Sequence, residues 1–224
     1  MDEFRIIPYQ PSHLDGVHEI LFRTGYMGED LIGRNAFNDR RLFGYIFCDY
    51  YLRFEPGNCF TALSSDMPER VLGYIIGAGD TRAQLYRFKK TYARKIVLRN
   101  SLITRLANPE SFLMTKTIMA YFRQDLLTAE TSILYRDYPA HLHINVLPGF
   151  QGKGIGAELM TAFEERMRMQ SAPGIHLITA SLNEKALRFY LKNNYRRYSE
   201  EEGDFWPGVT GVTSITFVKA LKPA

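Results

Sequence analysis

The chain has almost no cysteine. Only Cys48 and Cys59 occur in 224 residues, and they form no Cys-x-x-Cys pair. That argues against a disulfide-built scaffold and a cysteine-rich metal knuckle; two buried thiols in a reducing compartment are expected, with a single disulfide as the alternative. Long apolar runs are missing too, and no stretch approaches the roughly 20 apolar residues of a membrane span. The first residues, MDEFRIIPY, start acidic and lack an apolar core. No secretory signal is read there, so a cytoplasmic location is expected, with the nucleus left open. There is no repeat and no low-complexity segment. Nor is there a strong charge imbalance: 28 Lys and Arg against 24 Asp and Glu leave +4. That suits a protein handling an anionic cofactor and gives no positive sign of nucleic acid.

What is present fits one large domain, or a domain carrying one insertion, with enough chain to bury a core unaided. Phe4 to Tyr9 reads as a first strand. Ser12 then caps a helix in which Leu14, Val17, Ile20 and Leu21 recur at helical spacing. Leu31 to Arg53 reads as helical in pieces, and Cys59 to Ser64 and Val71 to Gly79 as a strand pair. Residues 80 to about 137 read as a helical insertion within a single domain spanning 1–224. From Thr81 to Pro109 that insertion has eight Lys or Arg and no acid. Leu85, Phe88, Tyr92 and Ile96 form one face, and Arg87, Lys90 and Arg94 another, read as a solvated surface. A second amphipathic run carries Phe112, Ile118, Met119 and Phe122. Toward the end, Gly174 to Ala180 reads as a buried strand and Leu182 to Asn193 as a helix. Tyr195 to Ser199 and Val212 to Val218 are two β runs, joined by a loop with Glu200, Glu201, Glu202, Asp204 and Trp206.

The most informative stretch is Ala140 to Gly156, AHLHINVLPGFQGKGIG. It reads as a strand, a Pro-Gly break and a glycine-spaced turn opening a helix. Amides at a helix start attract anions, and glycines leave the backbone open to a phosphate. A Walker A loop fails, because Gly154 is followed by Ile155 instead of lysine. A dinucleotide fingerprint can be forced onto Gly152, Gly154 and Ala157. It lies late in the chain, and the following strand offers no acid for a ribose.

Gln151-Gly152-Lys153-Gly154-Ile155-Gly156 fits [QR]-x-x-G-x-[GA]. Ile144-Asn145-Val146-Leu147-Pro148 precedes it, and Asn183-Glu184-Lys185-Ala186-Leu187-Arg188-Phe189-Tyr190-Leu191-Lys192-Asn193-Asn194-Tyr195 follows. Together these resemble the GCN5-related N-acetyltransferases over about 140–199. Asn194 replaces the usual glycine of the last motif, a mild change at a left-handed helix end. Tyr138-Pro139-Ala140 with the HLHI wording resembles most the acetyltransferase-like domain of O-GlcNAcases and its free-standing microbial relatives, some of which do not catalyse.

The resemblance implies an α/β (α+β) fold. Its sheet is mixed, mostly antiparallel, with six to seven strands flanked by helices and splayed between 140–146 and 174–180. It implies acetyl-CoA as cosubstrate, no metal, and an amine acceptor, either a small molecule or a protein lysine or N-terminus. The pyrophosphate goes to Gln151, Gly152, Lys153, Gly154, Ile155 and Gly156. Unpaired backbone near Val146 and Leu147 takes the pantetheine arm and the thioester carbonyl, with Asn183 and Ala186 alongside. Tyr190 takes the general-acid position. His143 is the candidate base, His141 shares its face by period two, and Asn145 stands where those relatives carry Asp. His176 is read as structural. The expected function is an N-acetyltransferase working by direct attack in a ternary complex. The alternative is a non-catalytic acetyl-CoA-binding module. No membrane partner is expected, and a homodimer stays open.

Overall fold

The computed structural model describes residues 4–31, 37–107, 109–124, 129–203 and 209–221, leaving out the side chains of 110, 118, 120–124 and 129–130. Trp206 and Asp204, and the side chains of Ile118 and Phe122, therefore lie outside the described residues.

Seven strands form one sheet in the order β1-β2-β3-β4-β5-β7-β6. The strands are β1 (Phe4–Pro8), β2 (Phe60–Ser64), β3 (Val71–Ala78), β4 (Ala140–Val146), β5 (Gly174–Ala180), β6 (Arg196–Glu202) and β7 (Thr213–Ala220). Every neighbouring pair is antiparallel except β4 and β5, which run parallel. This is the splayed mixed sheet expected from the resemblance.

β3 explains the two-layer build. All eight of its residues are buried, because apolar side chains leave both faces. Tyr74, Ile76 and Ala78 join a core with α1 (Leu14–Thr24), α2 (Arg40–Phe47) and α3 (Asp49–Phe54). Leu72 and Ile75 join a second core under α8 (Ile155–Met169), with Leu159, Phe163 and Met167. Both cysteines are buried free thiols.

The described part of 80–137 is mostly helical, between β3 and β4, and includes α4 (Thr81–Thr91), α5 (Ala93–Arg99), α6 (Pro109–Gln124) and α7 (Ala129–Asp137). Asp39 ties it to α2. Its carboxylate caps Leu42 N–H at 3.0 Å and accepts from Arg99 Nε at 2.9 Å and Thr104 Oγ1 at 2.6 Å. Burial alone would raise this carboxyl; Arg99, Thr104 and Leu42 outweigh it and hold the pKa below the ordinary range. Basic residues assigned to a solvated face are partly engaged: Arg87 lies 3.6 Å from Glu55, and Lys90 sits over the Tyr86 ring.

Two local expectations change. Ser12 does not cap α1; it lies in a 3-10 turn, Pro11–His13, whose His13 ring accepts from Gln10 N–H at 3.2 Å. Glu200, Glu201 and Glu202 are not loop residues but extend β6, opposite Ile215, Ser214 and Thr213 of β7. The ladder outweighs their poor strand propensity, and the charges point to water.

Gly77 of β3 leaves no room for a side chain between β4 and α8. A Cβ there would sit 2.2 Å from the His141 carbonyl oxygen and 2.6 Å from the Phe163 ring. Gly77→Ala is expected to cost about 1–3 kcal/mol, as overpacking does. Thermal unfolding should then start roughly 3–10 °C lower; an unchanged melting curve would contradict this reading of the crossing.

Candidate functional site

The site begins where two strands part. β4 and β5 pair only at Ala140 with Ile175 and His141 with His176. Beyond that, β4 stays with β3 as far as Val146, and β5 stays with β7 as far as Ala180. The edge of β4 from Leu142 onward therefore faces a gap. Leu147 N–H donates to Leu72 O at 2.8 Å. By antiparallel alternation, the peptide groups of Asn145 and His143 also turn to β3, and those of Val146 and Ile144 turn to the gap.

This refines one expectation. Leu147 offers no unpaired backbone, because its carbonyl also accepts from Phe150 N–H at 3.0 Å. The open groups are those of Ile144 and the Val146 N–H. Gln151 Nε2 donates to Val146 O at 3.1 Å and so fastens the glycine turn to the strand.

In that turn Gly152 and Gly154 have φ of +80° and +90°, a region that penalises any side chain. A Cβ at either would meet no atom within 4 Å, so the backbone is open to a ligand. Gly154 is the N-cap of α8. The first amides of that helix, at Ile155 and Gly156, have no intrahelical partner by geometry. Lys153 and Arg70 each lie 5.0 Å from the Phe150 ring and bring positive charge to the turn. Gly156 serves packing more than ligand access: a Cβ there would meet the Phe189 ring at 3.1 Å.

A cleft of about 700 Å³ runs from Gly152 and Gly154 past Val146 to Asn183 and Tyr190. Asn183 caps α9 (Glu184–Lys192), its side chain accepting from Ala186 N–H at 3.2 Å. A second cleft, about 310 Å³, is lined by Leu21, Phe43, Phe47, His143 and Ile178 among others. The two share Ile144, Asn145, Asn183, Ala186 and Tyr190. Tyr190 packs against Phe189, Tyr195 and Phe217, and its hydroxyl has no hydrogen-bond partner among the described residues. Burial raises its pKa, so the phenol stays protonated and acts as a donor.

His141, His143 and Asn145 do share a face, the one toward α1–α3. Asn145 Nδ2 donates to the buried Tyr74 hydroxyl at 2.8 Å. Tyr51 Oη lies 2.8 Å from His141 Nε2 and 3.3 Å from His143 Nε2. Thr81 Oγ1 lies 2.7 Å from His141 Nδ1. His176 is structural, its Nδ1–H donating to Tyr138 O at 2.6 Å. Burial, then His176 and His143, holds His141 well below the imidazole range. Burial lowers His176 to about 4, against the pull of the Tyr138 and Ala140 carbonyls. His143 is pushed to about 4 by its low-dielectric walls and then by His176. Its ring opens on the cleft, so water there offsets part of that push. Sequence reading did not single out Tyr51, Thr81 or Tyr74 for this site. No local motif marks them, and Tyr51 is 90 residues from His141.

Residues 117–197 match the model of an acetyltransferase (GNAT) domain. Solved structures share its fold over nearly the whole length. The protein SsHAT is 23% identical, covers 98% of this chain and 99% of its own, and superposes with a TM-score of 0.76. A polyamine N-acetyltransferase of Drosophila melanogaster, which forms N-acetylagmatine, is 16% identical over 98% of this chain and 100% of its own, with a TM-score of 0.60. The ribosomal-protein-S18-alanine N-acetyltransferase from Escherichia coli is 12% identical over 99% and 96%, with a TM-score of 0.55. At these identities the likeness is one of fold. No helix among the described residues is long and apolar enough to cross a membrane.

The buried histidines make the fold acid-sensitive. His141 and His176 are neutral when folded and charge when unfolded, near pH 6.5. The unfolded chain then binds more protons, so stability is intact above pH 6.5 and falls as pH drops toward about 4. Two protons give a slope of roughly 2–3 kcal/mol per pH unit near pH 5. Urea titrations across this range should show it, and His176→Asn should remove about half of it.

Proposed function

We propose that this GNAT domain is an acetyl-CoA-dependent N-acetyltransferase acting on a primary amine. The observation that carries the reading is the join of the two clefts at Tyr190, with the glycine turn along one and His143 in the other. The cosubstrate supplies a thioester carbonyl open to attack and a thiolate leaving group. The residues present fit it: a turn whose glycines leave its amides open to an anion, a peptide edge at Ile144 and the Val146 N–H, and a buried donor beside them.

On this reading Gly152, Gly154, Ile155 and Gly156, with Lys153 and Gln151, hold the pyrophosphate. Ile144 and Val146 bind the pantetheine arm as an added strand. Val146 N–H also faces charge developing on the carbonyl oxygen. The amine nitrogen bonds to the carbonyl carbon as the C–S bond breaks. Tyr190 gives its hydrogen bond, and finally its proton, to the departing sulfur. His143 takes the proton that the nitrogen loses. Asn183 and Ala186 close the wall on the α9 side.

Asn145 favours a second reading, a non-catalytic acetyl-CoA-binding module, because it is neutral where a carboxylate base would stand. Calorimetry with acetyl-CoA is expected to show binding, and thiol release is expected with some member of a panel of small amines, amino sugars and peptides. Tyr190→Phe should then lower kcat at least about 10²-fold with KM for acetyl-CoA little changed. Binding with silence across the panel would leave the second reading; no binding would remove both.

A further inference from the structure

The direction of the hydrogen bonds behind His143 can be assigned from one end. Thr81 N–H donates to the Pro139 carbonyl at 2.9 Å, and Thr81 Oγ1 lies 2.7 Å from the same oxygen. A carbonyl only accepts, so the one hydroxyl proton of Thr81 points there. At its 2.7 Å contact with His141, Thr81 must therefore accept, which makes His141 the Nδ1–H tautomer. His141 Nε2 then carries the lone pair and accepts from Tyr51 O–H at 2.8 Å. With its proton spent, Tyr51 accepts at 3.3 Å from His143, which must be Nε2–H. The reverse order would leave two oxygens, Thr81 Oγ1 and Pro139 O, 2.7 Å apart with no proton between them.

We propose that Thr81 and Tyr51 are positioning residues: acting through His141, they fix His143 as the Nε2–H tautomer and leave Nδ1 as its proton acceptor. His143 Nδ1 has no partner among the described residues, and the residue lines the second cleft. The chain of bonds ends at a carbonyl, so it conducts no proton to solvent. It works as a lock. A proton taken at Nδ1 creates imidazolium and leaves all four hydrogen bonds in place, so no reorganisation is needed. The same proton leaves to water in the open cleft. The tautomer assignment stands apart from catalysis; only its use as a base rests on the acetyl-transfer reading.

The test is long-range ¹H–¹⁵N correlation of ring-labelled histidines at neutral pH, with resonances assigned through His143→Gln and His141→Asn. The wild type is expected to show His141 as Nδ1–H and His143 as Nε2–H. Thr81→Val removes the acceptor at one end and should reverse the order, giving His141 Nε2–H and, through Tyr51, His143 Nδ1–H. Thr81→Ser should restore the wild-type pattern. Adding Tyr51→Phe to Thr81→Val should uncouple the rings and return His143 to Nε2–H. A wild-type His143 in the Nδ1–H form would overturn the proposal. So would a His143 tautomer indifferent to Thr81→Val in a protein whose amide spectrum is otherwise preserved. If transfer is observed, Thr81→Val should lower kcat by about 10²-fold with KM held, and Thr81→Ser should recover it. The expected tautomers in a wild type that binds acetyl-CoA and transfers nothing would sustain the lock and sink only the acetyl-transfer reading.

Discussion

Everything at the site depends on the parting of β4 from β5 after His141. A parallel pair that zipped to its end would bury the peptide groups of Ile144 and Val146 in a ladder and close both clefts. The separation is maintained because each strand is committed elsewhere: β4 to β3 as far as Val146, and β5 to β7 as far as Ala180. Apolar side chains of β4 on one face, Leu142, Ile144 and Val146, pack with the core under α8 and α9. An unpaired strand edge beside a cavity is costly unless something hydrogen-bonds to it. The fold therefore keeps, at fixed cost, an open strand edge next to a glycine turn whose backbone is unobstructed.

The insertion contributes to this arrangement. Its first helical residue is Thr81, which closes the chain of bonds behind the histidines. Further along, Arg99 and Thr104 hold Asp39 at the start of α2. The α2–α3 segment in turn carries Tyr51 to the histidines. So 80–137 reaches the histidines of β4 from behind the sheet, where the sequence had suggested only a solvated surface.

What could be read in advance was local. The alternation along β4 and the glycine turn opening a helix follow from short-range chemistry, and these are the parts that sequence placed well. What escaped was set by tertiary pairing. Leu147 reads as an open strand end until β3 is seen to reach Leu72 beside it. Gly156 reads as a glycine needed for the phosphate alone until Phe189 is seen against it. Glu200 to Glu202 read as a loop because three acids are poor strand residues, yet β7 draws them into a ladder. Tyr51 lies in the aromatic-rich run Tyr50, Tyr51 and Phe54; only the fold distinguishes which of them reaches the histidines.

An imidazole lowered from its ordinary range is a poor partner for an ordinary amine, whose conjugate acid has a pKa near 10.4. The two clefts resolve the mismatch on the acetyl-transfer reading. Leu21, Phe43, Phe47 and Ile178 line the second cleft, and such walls disfavour an ammonium, so the acceptor enters neutral at lower cost. Once its nitrogen has begun to bond to the carbonyl carbon, that nitrogen becomes far more acidic than a free ammonium, and a weak base suffices. A base with a pKa well above 7 in the same place would be protonated at neutral pH and useless at the start. The depressed histidine and the apolar acceptor cleft are thus one device: both keep the reacting groups uncharged until bond formation creates the charge that Val146 N–H and Tyr190 are placed to meet.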